Sequence, residues 1–425
     1  MIQKRPALLG VGLVATITAL ACASEAIDNL SAGTVGAEGM APMFEVDPFW
    51  PKPLPNHWIL GSAVGVGVDS RDHVYIIHRG AMTLNERTEM GSGTEPPSGE
   101  CCTAAPYILE FDPEGNLMNA WGGESTDEYS WPASNHGITI DPNDNIWIGG
   151  NGAGDGQILK FNRDGEFLAQ FGMPGEDIGS NNTDHFGRPA KISFNSTGDE
   201  AYVSDGYRNR RVAVLDATTG EVKRFWGAYG NTPSDDPTGR YDPNAPLIDQ
   251  FRTPVHCAEP SEDGLVYVCD RPNDRIQVFQ TDGTYVNEVR IAPATLGDGS
   301  TWDIAFSRDP GQTYMYLADG KNMKVYVMDR ESLEVLTSFG DGGRQPGQFF
   351  AVHSIATAEV HVPRNRTDHG REPGRTLADA RRLINPALAM SERPHSLRRV
   401  GPFFVNGSGV GPSAQRMVTP KPISA

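Results

Sequence analysis

The sequence is poor in basic residues compared with acidic ones. Its 36 lysines and arginines face 54 aspartates and glutamates, which gives a formal net charge of −18. Because nucleic-acid binding needs clustered cations, this charge argues against a nucleic-acid partner. Long apolar stripes with a helical period of 3.6 residues are also missing. With 48 glycines and 32 prolines in 425 residues, turns and short strands should dominate, so the predicted fold class is all-β.

Cysteine is scarce as well, and the first of the five cysteines ends a distinctive N-terminal segment. Lys4 and Arg5 precede the uncharged run 7–21, and Cys22 follows it. This order is typical of a signal peptide, predicted here as residues 1–22, and the run is too short to span a membrane comfortably. Cys22 as a lipid-acceptor residue remains an alternative. In both cases the mature protein is expected to be exported.

The other four cysteines form two pairs in the sequence. Cys101 and Cys102 are neighbours in an insertion rich in glycine and proline, whereas Cys257 and Cys269 flank a hairpin with its turn at 261–264. Antiparallel pairing would bring Cys257 nearly opposite Cys269, so an oxidising compartment could join them. The alternative is two small buried apolar side chains.

One pattern recurs along the chain, which indicates an architecture built from repeats. It consists of a strand ending in Asp or another polar residue, a turn, an aromatic-centred strand, a polar loop and a third strand, as in "HGITIDPNDNIWIGG" followed by "QILKFNRDGEFLAQFG". Each unit supplies four short strands, which is one blade of a β-propeller. The sequence predicts a six-bladed propeller over 43–358, after a linker at 23–42, with the last blade incomplete. The segment "MFEVDPFW" is expected to add a strand that closes the ring.

Three loops are longer than the repeat requires. They cover residues 81–104, 173–185 and 228–250 and are rich in Gly, Pro, Asp and Asn. Loops of this length in a compact domain are usually functional, and we expect them on one face of the disc.

Aligning the first strand of every blade reveals a pattern of histidines. The shared position holds, in chain order, Val64, His136, Lys191, His256, Asp303 and His353. First strands line the central channel of a propeller, so side chains from every second blade lie about 120° apart around the axis. His136, His256 and His353 should therefore converge. Three imidazole nitrogens with a fourth position open to water or substrate are the ligand set of a catalytic zinc ion.

The ends of the second strands should face the same opening. Arg79 and Arg271 each follow such a strand directly, and Tyr207 follows another within "SDGYRNRR". The planar guanidinium of arginine binds a carboxylate with two hydrogen bonds, and a tyrosine beside a divalent cation can act as a base. These residues are therefore the candidate catalytic set, with a substrate that carries a carboxylate. The remaining arginines nearby are expected to be structural: Arg208, Arg210, Arg211 and Arg275.

With these motifs, the chain resembles the NHL-type propeller of peptidyl-α-hydroxyglycine α-amidating lyase. The resemblance covers about residues 45–357 and is carried by "IIHRG", "WPASNHGITID", "FGRPAKISF", "AYVSDGYRNRR", "FRTPVHCA", "VYVCDRPNDRIQVF" and "FFAVHSI". It implies zinc on the three histidines, a catalytic tyrosine at Tyr207, and arginine roles for Arg79 and Arg271. The reaction implied is cleavage of an α-hydroxyglycine into a peptide amide and glyoxylate.

The sequence also departs from this family. Around His353 the neighbours are Ala351, Val352 and Ser354 in place of the Met-Pro pair and the Asp of the family, which argues against the family's structural calcium. The sequence leaves no room for a monooxygenase that would make the hydroxyglycine, so the substrate is expected to come from elsewhere. Two other functions therefore stay open: a lactonase-like metal hydrolase and a non-catalytic exported scaffold that binds other molecules.

The repeat stops after Thr357. Residues 359–425 are rich in Arg and Pro and reverse the sign of the charge, so this tail is expected to be disordered or loosely attached. A basic tail that contacts an anionic surface and a shift of reading frame near residue 358 are the two explanations of its composition.

Overall fold

The computed structural model describes residues 41–85, 91–175 and 179–358, with three further short strands at 382–384, 403–406 and 414–418. The predicted signal peptide lies outside the described residues, as do nearly all of the linker and most of the tail. Within the described part, no helix is long and apolar enough to cross a membrane. Helical structure there consists of short 3-10 turns at Gly80–Thr83, Ala228–Gly230 and Arg271–Asn273.

Antiparallel sheets of four strands make up most of the described chain. Three short strands and the first sheet come from the N-terminal part: β1 (Glu45–Asp47), β2 (Trp58–Ile59), β3 (Ala63–Val68), β4 (Val74–His78), β5 (Thr103–Ala104), β6 (Ile108–Phe111) and β7 (Leu117–Trp121). The first blade is β3-β4-β6-β7, while β2 and β5 pair separately in parallel.

The next four blades follow the chain without interruption. Blade two is β8 (Asn135–Ile140), β9 (Ile146–Gly150), β10 (Gln157–Phe161) and β11 (Phe167–Gly172). Blade three is β12 (Lys191–Phe194), β13 (Glu200–Asp205), β14 (Arg211–Asp216) and β15 (Val222–Trp226). Blade four is β16 (Val255–Pro260), β17 (Leu265–Asp270), β18 (Arg275–Gln280) and β19 (Tyr285–Arg290). Blade five is β20 (Asp303–Phe306), β21 (Tyr314–Asp319), β22 (Lys324–Asp329) and β23 (Val335–Phe339).

The strands that remain belong to the end of the described chain, and all of them except β26 have five residues or fewer. They are β24 (Asp341–Gly342), β25 (Gln348–Phe349), β26 (Val352–Ala358), β27 (Arg382–Ile384), β28 (Phe403–Asn406) and β29 (Ala414–Val418). The first strands of successive repeats contact one another in a closed circle, from β3 through β8, β12, β16, β20 and β26 back to β3. We call these six the inner strands. The described fold is therefore a β-propeller, as predicted.

The predicted count of six blades needs correction, because the propeller has five regular blades. The last inner strand, β26, belongs to an irregular five-stranded sheet with the order β1-β29-β27-β26-β28. Its partners β27 and β28 are only three and four residues long. The physical reason is that the chain after Thr357 lacks the alternating, aromatic-centred strands of the repeat. The N-terminal strand β1 pairs with β29 in this sheet, in line with the predicted closing strand.

The central strands of each blade are mostly buried because neighbouring blades cover both of their faces. In β17, for example, five of the six residues are buried. In blades one and two, an aspartate closes the tight turn between the first two strands. Asp141 accepts hydrogen bonds from the backbone N–H groups of Asn143 and Asn145, at 2.9 and 2.8 Å. This local bonding explains why an Asp recurs at the end of the first strand.

Two of the long loops predicted to share a face contact each other. The Ser180 hydroxyl donates to Asp235 at 2.6 Å, and the Asn181 amide donates to the Pro233 carbonyl at 3.0 Å. Arg210 adds hydrogen bonds to backbone carbonyls of Ser234 and Asp236. The loops 173–185 and 228–250 are therefore joined by side-chain hydrogen bonds.

Both cysteine pairs are disulfides in the structure. Cys257 and Cys269 face each other across β16 and β17 with their Cα atoms 4.9 Å apart, so the disulfide alternative applies and not the apolar one. Cys101 and Cys102 are bonded to each other as sequence neighbours, a link that the sequence analysis did not predict.

Candidate active site

The structure brings His136, His256 and His353 together at the centre of the propeller. Their imidazole ring centroids lie 4.7 to 5.0 Å apart. One nitrogen of each ring lies within 4.8 Å of the others, and all three side chains are buried. Residues separated by more than two hundred positions in the chain thus form one cluster able to hold a metal ion.

A hydrogen bond across the blade boundary fixes the orientation of each imidazole. The Nδ1 atom of His136 lies 2.6 Å from the carbonyl oxygen of Ala190. His256 makes the same contact to Trp302 at 2.5 Å, and His353 to Val64 at 2.7 Å. A carbonyl oxygen only accepts hydrogen bonds, so each Nδ1 carries the proton and each Nε2 keeps its lone pair. The three lone pairs are therefore available to one ion.

Each histidine projects from an irregularity in its strand. The pairing register of β16 with β17 passes from Val255 to Cys257, so His256 has no opposite residue. The register of β26 skips His353 in the same way, and that of β8 shifts at His136. A β-bulge turns the extra residue out of the normal alternation. The bulges thus direct these side chains toward the axis.

Burial keeps the three imidazoles neutral. It lowers the pKa of His353 to about 3, with further lowering by the positive charges of Arg79 and Arg271. Burial also holds the pKa of His136 and of His256 well below the usual range. Because the neutral form of histidine is the metal ligand, the site is poised for metal binding near neutral pH.

The strand ends that carry the other candidate residues are fixed by buried polar networks. In blade three, Asp205 accepts from the Gly187 N–H at 2.6 Å and pairs with Arg211 at 2.8 Å, and neither charged side chain is exposed. In blade four, Asp270 pairs with Arg275 at 2.7 Å in the same way. Removing one partner of such a buried pair costs about 3–5 kcal/mol. Arg211 and Arg275 are therefore anchors of the strand ends.

His78 replaces the aspartate at the equivalent strand end of blade one. Its Nδ1 accepts hydrogen bonds from the N–H groups of Gly61 and Gly80, at 3.1 and 2.9 Å, and its Nε2 donates to the Pro106 carbonyl at 2.7 Å. Burial lowers the pKa of His78 to about 4, so the ring is neutral. This histidine positions the following residue, Arg79.

Tyr207 reaches the histidine cluster directly. Its hydroxyl oxygen lies 2.8 Å from Nε2 of His136 and 3.2 Å from Nε2 of His256. The preceding Gly206 makes this approach feasible, because a Cβ atom there would lie 1.9 Å from the Val255 carbonyl oxygen. Blades three and four therefore pack so closely at Gly206 that Tyr207 is carried to the axis.

The two candidate arginines lie close to the same cluster. Arg271 donates from Nη1 to the Tyr207 hydroxyl at 3.3 Å. Arg79 is anchored by hydrogen bonds to the Asn135 carbonyl at 3.2 Å and to the Asn151 side chain at 3.0 Å. The Asn135 carbonyl directly precedes His136, and the positive charge of Arg79 lowers the pKa of both His136 and His353. All six predicted site residues are thus brought together.

Trp302 is a site residue that sequence reasoning missed. Its carbonyl orients His256, and its indole ring lies 4.4 Å from the Arg271 guanidinium in a cation–π contact. The carbonyl groups of Ala190 and Val64, which orient the other two histidines, were missed as well. A residue that acts through its backbone carbonyl cannot be recognised from its side chain. Ala190, Trp302 and Val64 nevertheless all belong to the odd-numbered repeats, between those that carry the histidines.

A second group of residues able to bind metal lies in blade one, but it already holds a cation. Asp69, His73 and Glu110 cluster there, and the Arg71 guanidinium donates to both carboxylates, at 2.6 and 3.0 Å. His73 is half-buried and bonded to Glu110 at 2.6 Å. This group is an ion-pair network.

Comparison with known proteins places the chain among propeller relatives, although no protein-family model matches it. It is 26% identical over 290 residues to rat peptidylglycine alpha-amidating monooxygenase, covering 66% of this chain and 27% of that protein. It is 29% identical over 248 residues to Drosophila melanogaster peptidyl-alpha-hydroxyglycine alpha-amidating lyase 1, covering 56% and 40%. Mouse NHL repeat-containing protein 3 is 25% identical over 332 residues, covering 76% and 77%.

These relatives differ in how much of their length is matched. The chain spans about a quarter of the rat protein and 40% of the fly protein, but 77% of the mouse NHL repeat protein. Homologues of the chain thus include an amidating lyase and NHL repeat proteins, in agreement with the resemblance seen in the sequence.

Proposed function

We propose that the protein is an exported zinc-dependent lyase that cleaves the N–C bond of an α-hydroxyglycine to give an amide and glyoxylate. One observation carries this proposal: the three Nε2 atoms of the buried histidines converge beside the Tyr207 hydroxyl, with Arg79 and Arg271 close by. The named lyase among the relatives supports it.

The residues present fit a zinc ion. Neutral imidazole nitrogens are preferred zinc ligands, and three of them leave one tetrahedral position for substrate. The backbone carbonyls that hold each Nδ1 are the outer contacts that orient zinc-binding histidines. When bound, zinc supplies a Lewis acid that polarises the hydroxyl of the substrate. The residues that would hold it are His136, His256 and His353.

The arginines account for binding of the substrate carboxylate. Arg271 is stacked on Trp302 and has a hydrogen bond to Tyr207, so its guanidinium is fixed at the edge of the cluster. Burial lowers the pKa of Arg79, which indicates that its charge is poorly compensated by neighbouring groups. A carboxylate bound beside these two guanidinium groups would supply the missing negative charge.

Tyr207 is placed to move the proton. In a relay, the Tyr207 hydroxyl gives its own proton to the leaving amide nitrogen while its oxygen accepts the proton of the substrate hydroxyl, so the tyrosine ends as it began. The electrons of the O–H bond then form the aldehyde C=O bond of glyoxylate, and the electron pair of the broken C–N bond stays on nitrogen. No water and no redox partner enters the balance. The cluster thus needs only a binding group for carboxylate, a proton relay and a metal.

Glyoxylate release tests this function. We expect protein loaded with zinc to convert α-hydroxyhippurate into benzamide and glyoxylate, and chelator-treated protein to lose the activity until zinc is added back. A matched control is His185→Ala, which removes a half-buried histidine whose ring is hydrogen-bonded to the Met173 carbonyl at 3.3 Å and does not belong to the histidine cluster, and should leave the rate unchanged.

Two results would contradict the lyase. Zinc bound without glyoxylate would favour a metal hydrolase, and neither zinc nor product would leave a propeller that acts as a binding scaffold.

A further inference from the structure

A buried group of charges lies on inner strands and takes no part in the proposed reaction. The ammonium group of Lys191 contacts Asp303 and Glu259, each at 2.7 Å. All three side chains are largely shielded from solvent, with exposed fractions of 12%, 2% and 15%. One cation thus faces two carboxylates inside the propeller, where unpaired charges are costly.

Further hydrogen bonds extend the group over four inner strands. The Ser193 hydroxyl donates to Glu259 at 2.8 Å. The Ser354 hydroxyl and the Ile355 N–H donate to the second oxygen of Asp303, at 2.8 and 3.0 Å. Lys191 and Ser193 belong to β12, Glu259 to β16, Asp303 to β20 and Ser354 to β26. This network therefore links the strands from three regular blades and from the irregular sheet.

The same residues adjoin the groups that orient the three imidazoles. Lys191 directly follows Ala190, whose carbonyl accepts from His136. Asp303 directly follows Trp302, whose carbonyl accepts from His256, and Ser354 directly follows His353. A displacement of the lysine or of the aspartate would therefore be transmitted to the metal-binding side chains.

We propose that Glu259 and Asp303 form an internal cation site in which the Lys191 ammonium is the resident cation, and that this site holds the histidine strands in position. The first part stands on the charge cluster alone, and the second part rests on the proposed zinc centre. Burial by itself would lower the pKa of Lys191, but attraction to Asp303 and Glu259 raises that pKa above its usual range, so the lysine stays charged. The ammonium group thereby holds the inner strands together without a free divalent ion.

The oxygen atoms of the site make it possible to test whether calcium can take the place of the lysine ammonium group. Removing the lysine side chain leaves two carboxylates with two neighbouring hydroxyls, which are hard oxygen ligands of the kind that calcium takes. A site with few protein ligands would bind calcium weakly, with a dissociation constant of about 10⁻⁴–10⁻³ M. Calcium should therefore replace the missing ammonium in Lys191→Ala.

Thermal unfolding with and without calcium tests the cation site. We expect the midpoint of Lys191→Ala in chelator to lie about 5–10 °C below that of the wild type, and calcium to restore a large part of the loss. The wild type and the control Lys321→Ala, which removes an exposed lysine paired with Asp298, should not respond to calcium. Lys191→Ala/Glu259→Gln carries one carboxylate fewer and should be more stable than Lys191→Ala in chelator, without a calcium response.

Each outcome decides the inference. If Lys191→Ala is as stable as the wild type, or if it ignores calcium and the double variant is no more stable, the resident-cation assignment is wrong. If Lys191→Ala does not fold in chelator, two other results decide. The assignment is supported if Lys191→Ala folds in calcium or if Lys191→Ala/Glu259→Gln folds in chelator. If neither protein folds under these conditions, the assignment is rejected.

The positioning role is tested by cobalt binding to Ser354→Ala, which removes one bond to Asp303 and keeps every charge. We expect cobalt affinity to fall about tenfold, with an altered visible spectrum. If the cobalt affinity and the spectrum are unchanged, the positioning role is rejected and the cation site is not affected by the result. A wild type that binds no cobalt would reject the zinc centre and this role together, while the calcium result would still decide the cation site.

Discussion

Replacing His256 with alanine is expected to lower zinc affinity by about a factor of 10²–10³. Four-ligand zinc sites bind with about 10–16 kcal/mol, so one ligand accounts for about 2.5–4 kcal/mol. The remaining imidazoles, His136 and His353, would still face the axis because their own carbonyl bonds to Ala190 and Val64 are intact. Competition with a chromophoric chelator measures the affinity.

The control for this substitution is again His185→Ala, which should bind zinc like the wild type. A His256→Ala protein that retains wild-type zinc affinity would show that the ion is held elsewhere, and the proposed centre would have to be abandoned.

Replacing Tyr207 with phenylalanine is expected to lower kcat on α-hydroxyhippurate by about 10²–10⁴-fold, the usual contribution of a positioned acid or base. Zinc affinity should change little, because the three imidazoles keep their carbonyl partners. The ring would still pack against His136, so the loss reports on the hydroxyl group. Rate and metal content are measured on the same preparation.

Tyr129→Phe serves as the matched control, since its ring packs on Phe161 and Phe167 away from the histidines. A Tyr207→Phe protein with wild-type kcat would show that the tyrosine takes no part in the reaction, and it would not contradict the proposed metal centre. A variant that loses zinc as well would show that Tyr207 is needed to build the site.

The arrangement of the centre alternates around the propeller axis. Each histidine comes from an even-numbered repeat, and the carbonyl that orients it comes from the following odd-numbered one: Ala190 from the third, Trp302 from the fifth and Val64 from the first. Every ligand is therefore fixed by a neighbouring blade as well as by its own strand. Such a centre forms only when the circle of inner strands is closed.

The repeat made most of this predictable. Equivalent positions in a propeller point to one axis, so His136, His256 and His353 could be assigned to one cluster from spacing alone. The strand-end position placed Arg79, Tyr207 and Arg271 beside it. Because the repeats are regular, aligning them in the sequence predicted which side chains lie close together in the structure.

Other features depend on pairing and packing that the alignment cannot show. The bulge at His256 is a register shift between β16 and β17, and both strands would alternate normally without it. The contact of Lys191 with Glu259 joins different positions of different repeats, so aligning equivalent positions could not find it. The predicted number of blades was one too high because β26 fits the repeat while the chain beyond it does not.

Zinc-edge X-ray absorption of the purified protein tests the central claim most directly. The account predicts three imidazole nitrogens and one oxygen at about 2.0–2.1 Å, with the multiple-scattering pattern of histidine rings. A first shell containing sulfur at about 2.3 Å, or one without imidazole scattering, would contradict it.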